Sequence, residues 1–281
     1  MNIKKSTLFL LILLAVCGKT FGYNYFNQME EDFCHKGVCY KILNNKEIEV
    51  IGHNFRLIEW VTCSDEDMLK TKKHVYDTLP SGRLVIPPAL KYKGVTYRVV
   101  SIAKEAFRDC EGLVSVVIPN SVTRIGESAF YCCYAMTDVV IPNGLTSIEN
   151  GVFNECSSLT SAVIPNSVTR IGNYAFANCE NLRSVTISNS VKSIGSHAFY
   201  LCERLKSVTI PNSVTSLERG SFRECYELKS ITIPGSVTSI GKQAFWGCRT
   251  LSRINVPKGS KERFKSMLPE KLWNMICEYR S

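Results

Sequence analysis

The sequence predicts an α/β solenoid, a stack of coils with short parallel strands, closed by a β-rich N-terminal cap and a helical C-terminal cap. Three observations carry this. Phenylalanines stand at 107, 130, 153, 176, 199, 222 and 245, a spacing of 23 throughout. Cysteines stand at 110, 133, 156, 179, 202, 225 and 248 with the same spacing. Prolines at 119, 142, 165, 211, 234 and 257 keep that register, with Ser188 in the one vacant slot. Self-similarity at a fixed period of this length means stacked structural units. Composition agrees: 45% hydrophobic and 21% charged residues describe a globular chain rather than a disordered one or a fibre.

Residues 1–22 read as a secretory signal peptide. Lys4 and Lys5 precede an unbroken apolar run over residues 8–16, followed by small residues around Gly18 and Gly22. The run is too short to span a bilayer, which takes about 20 apolar residues. Cys17 has the outline of a lipoprotein anchor, but such cleavage wants a small residue before the cysteine and Val16 is not small. Removing the segment takes Lys4, Lys5 and Lys19 and no acid, so the net charge of +9 falls by three to +6.

Residues 23–83 form the expected N-terminal cap, with strand-like runs at 38–43 and 48–51. Cys34-His35-Lys36-Gly37-Val38-Cys39 reads as strand, turn and strand. In a secreted chain that spacing admits a Cys34–Cys39 disulfide, with two free thiols as the alternative. Cys63, Cys132 and Cys277 complete an odd set of five off the periodic column. Cys132 is the expected loner, because it sits beside Cys133 and points elsewhere. Cys63-Ser64-Asp65-Glu66-Asp67 reads as an exposed acidic loop, with the cap of a short helix and a calcium site as alternatives; the central glycine and closing glutamate of an EF-hand are missing.

Residues 84–257 form the expected solenoid. In Leu205-x-x-Val208-x-Ile210 the last two apolar residues alternate as one face of a strand should. Pro211 ends the strand because it cannot donate to a ladder. Gly195 suits a tight corner, and Ala198, Phe199 and Cys202 are spaced for a short inward-facing helical turn. One such unit cannot bury its own apolar face, so neighbours must stack. The seven periodic cysteines, Cys110, Cys133, Cys156, Cys179, Cys202, Cys225 and Cys248, then form a ladder of small buried plugs. In-register side chains project in parallel, which disfavours disulfides, and a spacing of 23 supplies no C-x₂-C zinc pair. No metal or cofactor is expected. Residues 258–281 form the closing cap, with Phe264, Met267, Leu268, Leu272, Trp273 and Ile276 placed for helices packed on the last coil.

Units of the form Leu-x-x-Val-x-Ile-Pro-x-Ser-Val-x-x-Ile-Gly-x-x-Ala-Phe-x-x-Cys, clearest over residues 182–202 and 228–248, resemble BspA-like leucine-rich repeats. Such repeats occur in many bacterial surface and secreted proteins. Val85-Ile86-Pro87, followed by a hairpin-like insert at residues 92–99, resembles the first repeat of that family, and Val256-Pro257-Lys258-Gly259-Ser260 its closing segment. Glu149 and Glu218 in place of the corner glycine, and Ser188 in place of proline, depart from the pattern and put those local turns in question. The resemblance implies a right-handed leucine-rich repeat superhelix that adheres to surfaces or binds proteins. It implies no catalysis.

The outward positions of the strands should line the concave face. One column reads Val117, Val140, Val163, Thr186, Thr209, Thr232, Asn255; its neighbour reads Ser115, Asp138, Ser161, Ser184, Ser207, Ser230, Arg253. A third reads Val114, Thr137, Thr160, Arg183, Lys206, Lys229, Ser252. Arg183, Lys206, Lys229 and Arg253, with Thr186, Thr209 and Thr232, are the candidate binding residues. A plain solvated sheet chosen for strand propensity is the competing interpretation. The expected function is a secreted or cell-surface adhesion module docking an extracellular or host protein; an acidic polysaccharide or glycan on the basic patch is the alternative.

Enzymatic function is not expected. His35, His53, His74 and His197 fall in loops or at variable repeat positions with no nucleophile grouped beside them, and His197 reads as a solvated surface residue. The basic charge would suit nucleic acid, but the secretory leader argues against it. No second membrane span is readable, and a monomer is expected.

Overall fold

The computed structural model describes residues 32–35, 38–44, 46–52 and 79–279; for residues 32–35, 39 and 48 it describes the backbone alone. The signal peptide with Cys17, the acidic loop at Cys63, and His53 and His74 lie outside the described residues.

Every coil contributes to three columns. The first is a ladder of parallel strands: β4 (Gly82–Val85), β7 (Leu113–Val117), β9 (Asp138–Val140), β11 (Ser161–Ile164), β13 (Ser184–Ile187), β15 (Ser207–Thr209), β17 (Ser230–Thr232) and β19 (Arg253–Pro257). In-register pairs such as Ala162 with Val185 and Val208 with Ile231 fix it. Between β9 and β11, and between β13 and β15, the ladder narrows to the residue ahead of each strand: Thr160 N–H donates to Thr137, and Lys206 N–H to Arg183. The second column consists of two-residue strands, β8 (Arg124–Ile125), β10 (Ser147–Ile148), β12 (Arg170–Ile171), β14 (Ser193–Ile194), β16 (Ser216–Leu217) and β18 (Ser239–Ile240), of which β10 to β18 pair in sequence.

The third column, expected as one short helical turn per coil, holds no α-helix. It is built of i→i+3 turns, such as Tyr200 N–H to His197 and Cys202 N–H to Phe199, bonded to the next coil rather than along a helix axis. In each coil before the last the N–H groups of alternate residues donate forward: Glu105, Phe107 and Asp109 to the carbonyls of Glu127, Ala129 and Tyr131, and so on to Gly220, Phe222 and Glu224. Two left-handed residues per coil aim these groups, for instance His197 (φ 56°) and Leu201 (φ 54°). That backbone cannot continue as an α-helix.

Apolar rungs from all three columns meet inside. Leu205, Val208, Ile210, Val214, Leu217, Phe222 and Cys225 are at most 3% exposed, and other coils repeat the set. The seven phenylalanine rings stack continuously with centroids 5.2–6.1 Å apart. The cysteines do more than fill space. Each thiol from Cys133 to Cys248 donates to the carbonyl of the phenylalanine 26 residues earlier, at 3.1–3.3 Å. All seven are free; Cys110 to Cys225 are buried and Cys248 is half-buried. Burial pushes the thiol of Cys110 up to about 12 and those of Cys133, Cys156, Cys179, Cys202 and Cys225 upward as well.

The three departures from the repeat are each compensated. The Ser188 hydroxyl donates to the Pro165 carbonyl, and its own carbonyl still accepts from Val191, as each proline does in its turn. Where glutamate occupies the corner at 149 and 218, glycine moves two residues along, to Gly151 (φ 62°) and Gly220 (φ 61°). In the neighbouring coils those slots hold Ser128, Tyr174, His197 and Gln243, all left-handed. The released glycine takes the strained position where φ > 0 costs an L-residue most.

At the N-terminal end, β1 (Asp32–His35), β2 (Val38–Ile42) and β3 (Glu47–Gly52) form an antiparallel meander, and β5 (Ala89–Tyr92) and β6 (Val95–Ile102) a hairpin. β3 runs parallel to β6, and Ser101 and Ile102 of β6 pair with Arg124 and Ile125 of β8. The meander thus joins the second column rather than lying across its end. Glu49 pins the junction, accepting from the Ser101 hydroxyl (3.0 Å) and the Arg124 guanidinium (2.6 Å).

The C-terminal segment is less helical than expected. Helix α1 (Lys261–Met267) and a 3-10 turn (Glu270–Met275) lead into a strand, β20 (Ile276–Tyr279), parallel to β19. Phe264, Leu268, Leu272 and Ile276 are buried, while Met267 and Trp273 pack partly buried on the core. Among the described residues no helix is long and apolar enough to cross a membrane.

Candidate binding face

Strand alternation sets the outward face of the first column. In β15, Val208 points inward, whereas Ser207 and Thr209 are exposed. Lys206 precedes Ser207 and is also exposed. Parallel in-register pairing then repeats each outward residue at the next coil. Ser184, Val185 and Thr186 on β13 lie opposite Ser161, Ala162 and Val163 on β11.

Arg183, Lys206 and Lys229 occupy equivalent places, one residue ahead of β13, β15 and β17. Their main chains are tied coil to coil, Arg183 N–H to Thr160, Lys206 N–H to Arg183 and Lys229 N–H to Lys206. Arg253 lies in the adjacent column on β19, opposite Ser230. All four are exposed, and among the described residues none forms an ion pair. Thr186 and Thr209 are exposed; Thr232 is half-buried and accepts from the Asn255 side-chain amide at 3.2 Å. Thr186, Thr209, Thr232 and Arg253 stand at outward positions of the last four strands of the column, and Arg183, Lys206 and Lys229 are exposed one residue ahead of three of them.

The structure adds residues that the sequence reading left out. Val85 and Arg83 on β4 pair with Val117 and Ser115, which extends both columns by one coil. The outward column then opens with Val85, Val117, Val140 and Val163; Val85, Val140 and Val163 are 58%, 63% and 64% exposed. Val85 stands before Ile86-Pro87 as Val117 stands before Ile118-Pro119, and that signal could have placed it. At the far end Asn255 pairs with the exposed free Cys277.

Cys34 and Cys39 are opposed partners in the β1–β2 ladder; their side chains lie outside the described residues. Cys132 is free and buried, and its sulfur accepts from the Tyr134 hydroxyl at 3.2 Å. Burial is the largest cause pushing its thiol up. His197 is half-buried rather than freely solvated. Its ring stacks on Tyr174 at 5.0 Å and leans over Gly220, where a Cβ would meet its Nε2 at 2.6 Å. Burial, then the nearby Arg219 and Arg223, lower its pKa, so it sits neutral in a stack. Its Nδ1 is buried without a hydrogen-bond partner.

A family model described as a BspA-type leucine-rich repeat region matches residues 90–203 and 148–268, with six copies. The chain is similar to the crystal structure of a leucine-rich repeat protein from T. pallidum, 27% identical with a TM-score of 0.64, over 89% of this chain and 99% of that one. It is also similar to a leucine-rich repeat protein from Bacteroides ovatus, 26% identical with a TM-score of 0.53, over 80% of this chain and 65% of that one. No curated protein sequence matches it.

Proposed function

We propose that this chain, which belongs to the BspA-type leucine-rich repeat family, is a non-enzymatic binding module, secreted or held at the cell surface, that docks an extracellular protein on the outward face of its first strand column. One observation carries the reading: exposed valines and a row of exposed cations, with no ion pair among the described residues, follow one another along a single strand column. Val85, Val140 and Val163 offer exposed apolar area that needs little side-chain ordering, since β-branched residues are already stiff. Arg183, Lys206, Lys229 and Arg253 steer an acidic partner and set its direction along the coils. The partner that fits has an apolar ridge continued by acidic residues.

The test is capture of extracellular host proteins on the chain lacking residues 1–22, compared with two variants. Replacing Arg183, Lys206 and Lys229 by Glu should lower association strongly at low salt, and Val140→Asp with Val163→Asp should speed dissociation. Retention of the same partners by both variants would overturn the reading. An acidic polysaccharide is the second reading, favoured by the unpaired cations alone. It predicts affinity that falls steeply as salt rises and no effect of the valine changes.

A further inference from the structure

The turn column has a direction, and its last coil is left open. In the interior each coil donates three alternate main-chain N–H groups forward to the next coil, as His197, Phe199 and Leu201 donate to Arg219, Ser221 and Arg223 at 2.9–3.0 Å. The equivalent residues of the last coil are Gln243, Phe245 and Gly247. Gln243 (φ 62°) and Gly247 (φ 79°) have the same left-handed backbone as their counterparts. No coil follows, and among the described residues none of these three N–H groups has an acceptor. The C-terminal segment restores the first column through β20, but it does not restore this one.

A cleft of about 410 Å³ opens beside two of these residues, Gln243 and Phe245. Gln243, Phe245 and Trp246 form one wall, and Met267 and Leu268 of the C-terminal segment form the other. Trp246 is 46% exposed, and Arg223 covers its ring at 4.5 Å. Lys242 and Lys271 flank the opening, both exposed and both without an ion pair among the described residues. Unpaired main-chain donors beside apolar walls are what strand-addition sites present to an incoming chain: backbone bonds give affinity and the walls select side chains.

We propose that this cleft captures an acidic peptide segment of a partner protein that takes the turn conformation of a coil, whose alternate carbonyls continue the hydrogen-bond column and whose apolar side chain lies between Trp246 and Met267. The surface belongs to a different column from the valine and cation face, so it stands or falls independently of that reading.

The protein itself supplies a probe. Residues 126–131 (Gly-Glu-Ser-Ala-Phe-Tyr) present the carbonyls of Glu127, Ala129 and Tyr131 to the coil before them. The acetylated, amidated hexapeptide of that sequence should bind with a Kd of about 1 mM or tighter. NMR should show saturable shifts of the Gln243, Phe245 and Gly247 amides and slower exchange there. The Gly220, Phe222 and Glu224 amides, which are already bonded, should not respond. Ser266→Trp, at an exposed helix position lining the cleft, should weaken binding about tenfold or more. Absence of saturable change at the three amides, or unchanged affinity in Ser266→Trp, overturns the proposal. Protection that grows with protein concentration without peptide also overturns it, because a second copy would then be the occupant.

Discussion

Along the first strand column the inward rungs hardly vary from coil to coil, whereas the outward rungs change character halfway. Inside, Val116, Val139, Ala162, Val185, Val208, Ile231 and Ile254 keep one small-to-medium apolar type. Outside, Val85, Val117, Val140 and Val163 give way to Thr186, Thr209 and Thr232, and, Arg83 on the first strand apart, the basic residues begin at Arg183, in the coil where threonine first replaces valine. Both outward types suit a strand, so the change is not required by the fold. The interior is held by stacking that every coil must satisfy, and the outward face is free to differ. On the proposed function that division is also where recognition lies, and it can be tested from both sides.

The largest effect should come from the inward cysteines. Cys110, Cys133, Cys156, Cys179, Cys202 and Cys225 are held protonated by burial. In the unfolded chain a thiol releases its proton above about pH 8.5. Above that pH the unfolded state binds fewer protons than the native one, so stability is intact below it and falls as pH rises. Each thiol contributes about 1.4 kcal/mol per pH unit in that window, and the six together about 8 kcal/mol. Denaturant titrations between about pH 7 and 10 should show this slope, and Cys110→Ala with Cys202→Ala should remove about a third of it. A flat profile would contradict the ladder.

A smaller loss should follow from cutting the ring stack. Phe176 is fully buried between Phe153 (5.3 Å) and Phe199 (5.5 Å). Phe176→Ala should cost about 3–5 kcal/mol through lost burial and the cavity left behind. Because each coil contacts only its neighbours, hydrogen exchange should speed up most in the coils containing Phe153, Phe176 and Phe199. Uniform loss of protection from cap to cap would mean that the stack is cooperative over a longer range.

These two experiments address what the sequence could and could not convey. The period of 23, the inward Phe and Cys, and the strand alternation are side-chain properties, and side chains are what a sequence lists. The thiol bonds from Cys133 to Phe107 and onward depend on where a carbonyl points one coil earlier, which no local pattern encodes. The bonding of the turn column is hidden from the sequence for a related reason. Ala198, Phe199 and Cys202 have helical spacing, yet His197 and Leu201 adopt a left-handed backbone that only the hydrogen bonds to Arg219 and Arg223 justify. Tertiary bonding overrode local propensity there. On the candidate binding face the cations are legible as columns in the sequence, whereas Val85 joins the stripe only through the pairing of β4 with β7.

The smallest effect on stability, and the sharpest test of the division, lies at Val163. Its side chain is 64% exposed, and its partner on β13 is Thr186. Val163→Thr therefore extends the threonine half of the column by one coil, with a residue of similar shape and strand preference. Stability should change by no more than about 0.5 kcal/mol, as for surface substitutions away from the core. If the valine stripe is an apolar docking strip, the added hydroxyl puts a polar group that needs a partner into the centre of the contact, and an unpaired buried hydroxyl there costs about 1–3 kcal/mol. Capture of a partner on this face should then weaken about fivefold or more, while thermal unfolding stays where it was. A matching loss of stability would assign Val163 to the scaffold. Unchanged capture would leave recognition to the basic coils alone, and with it the polyanion reading.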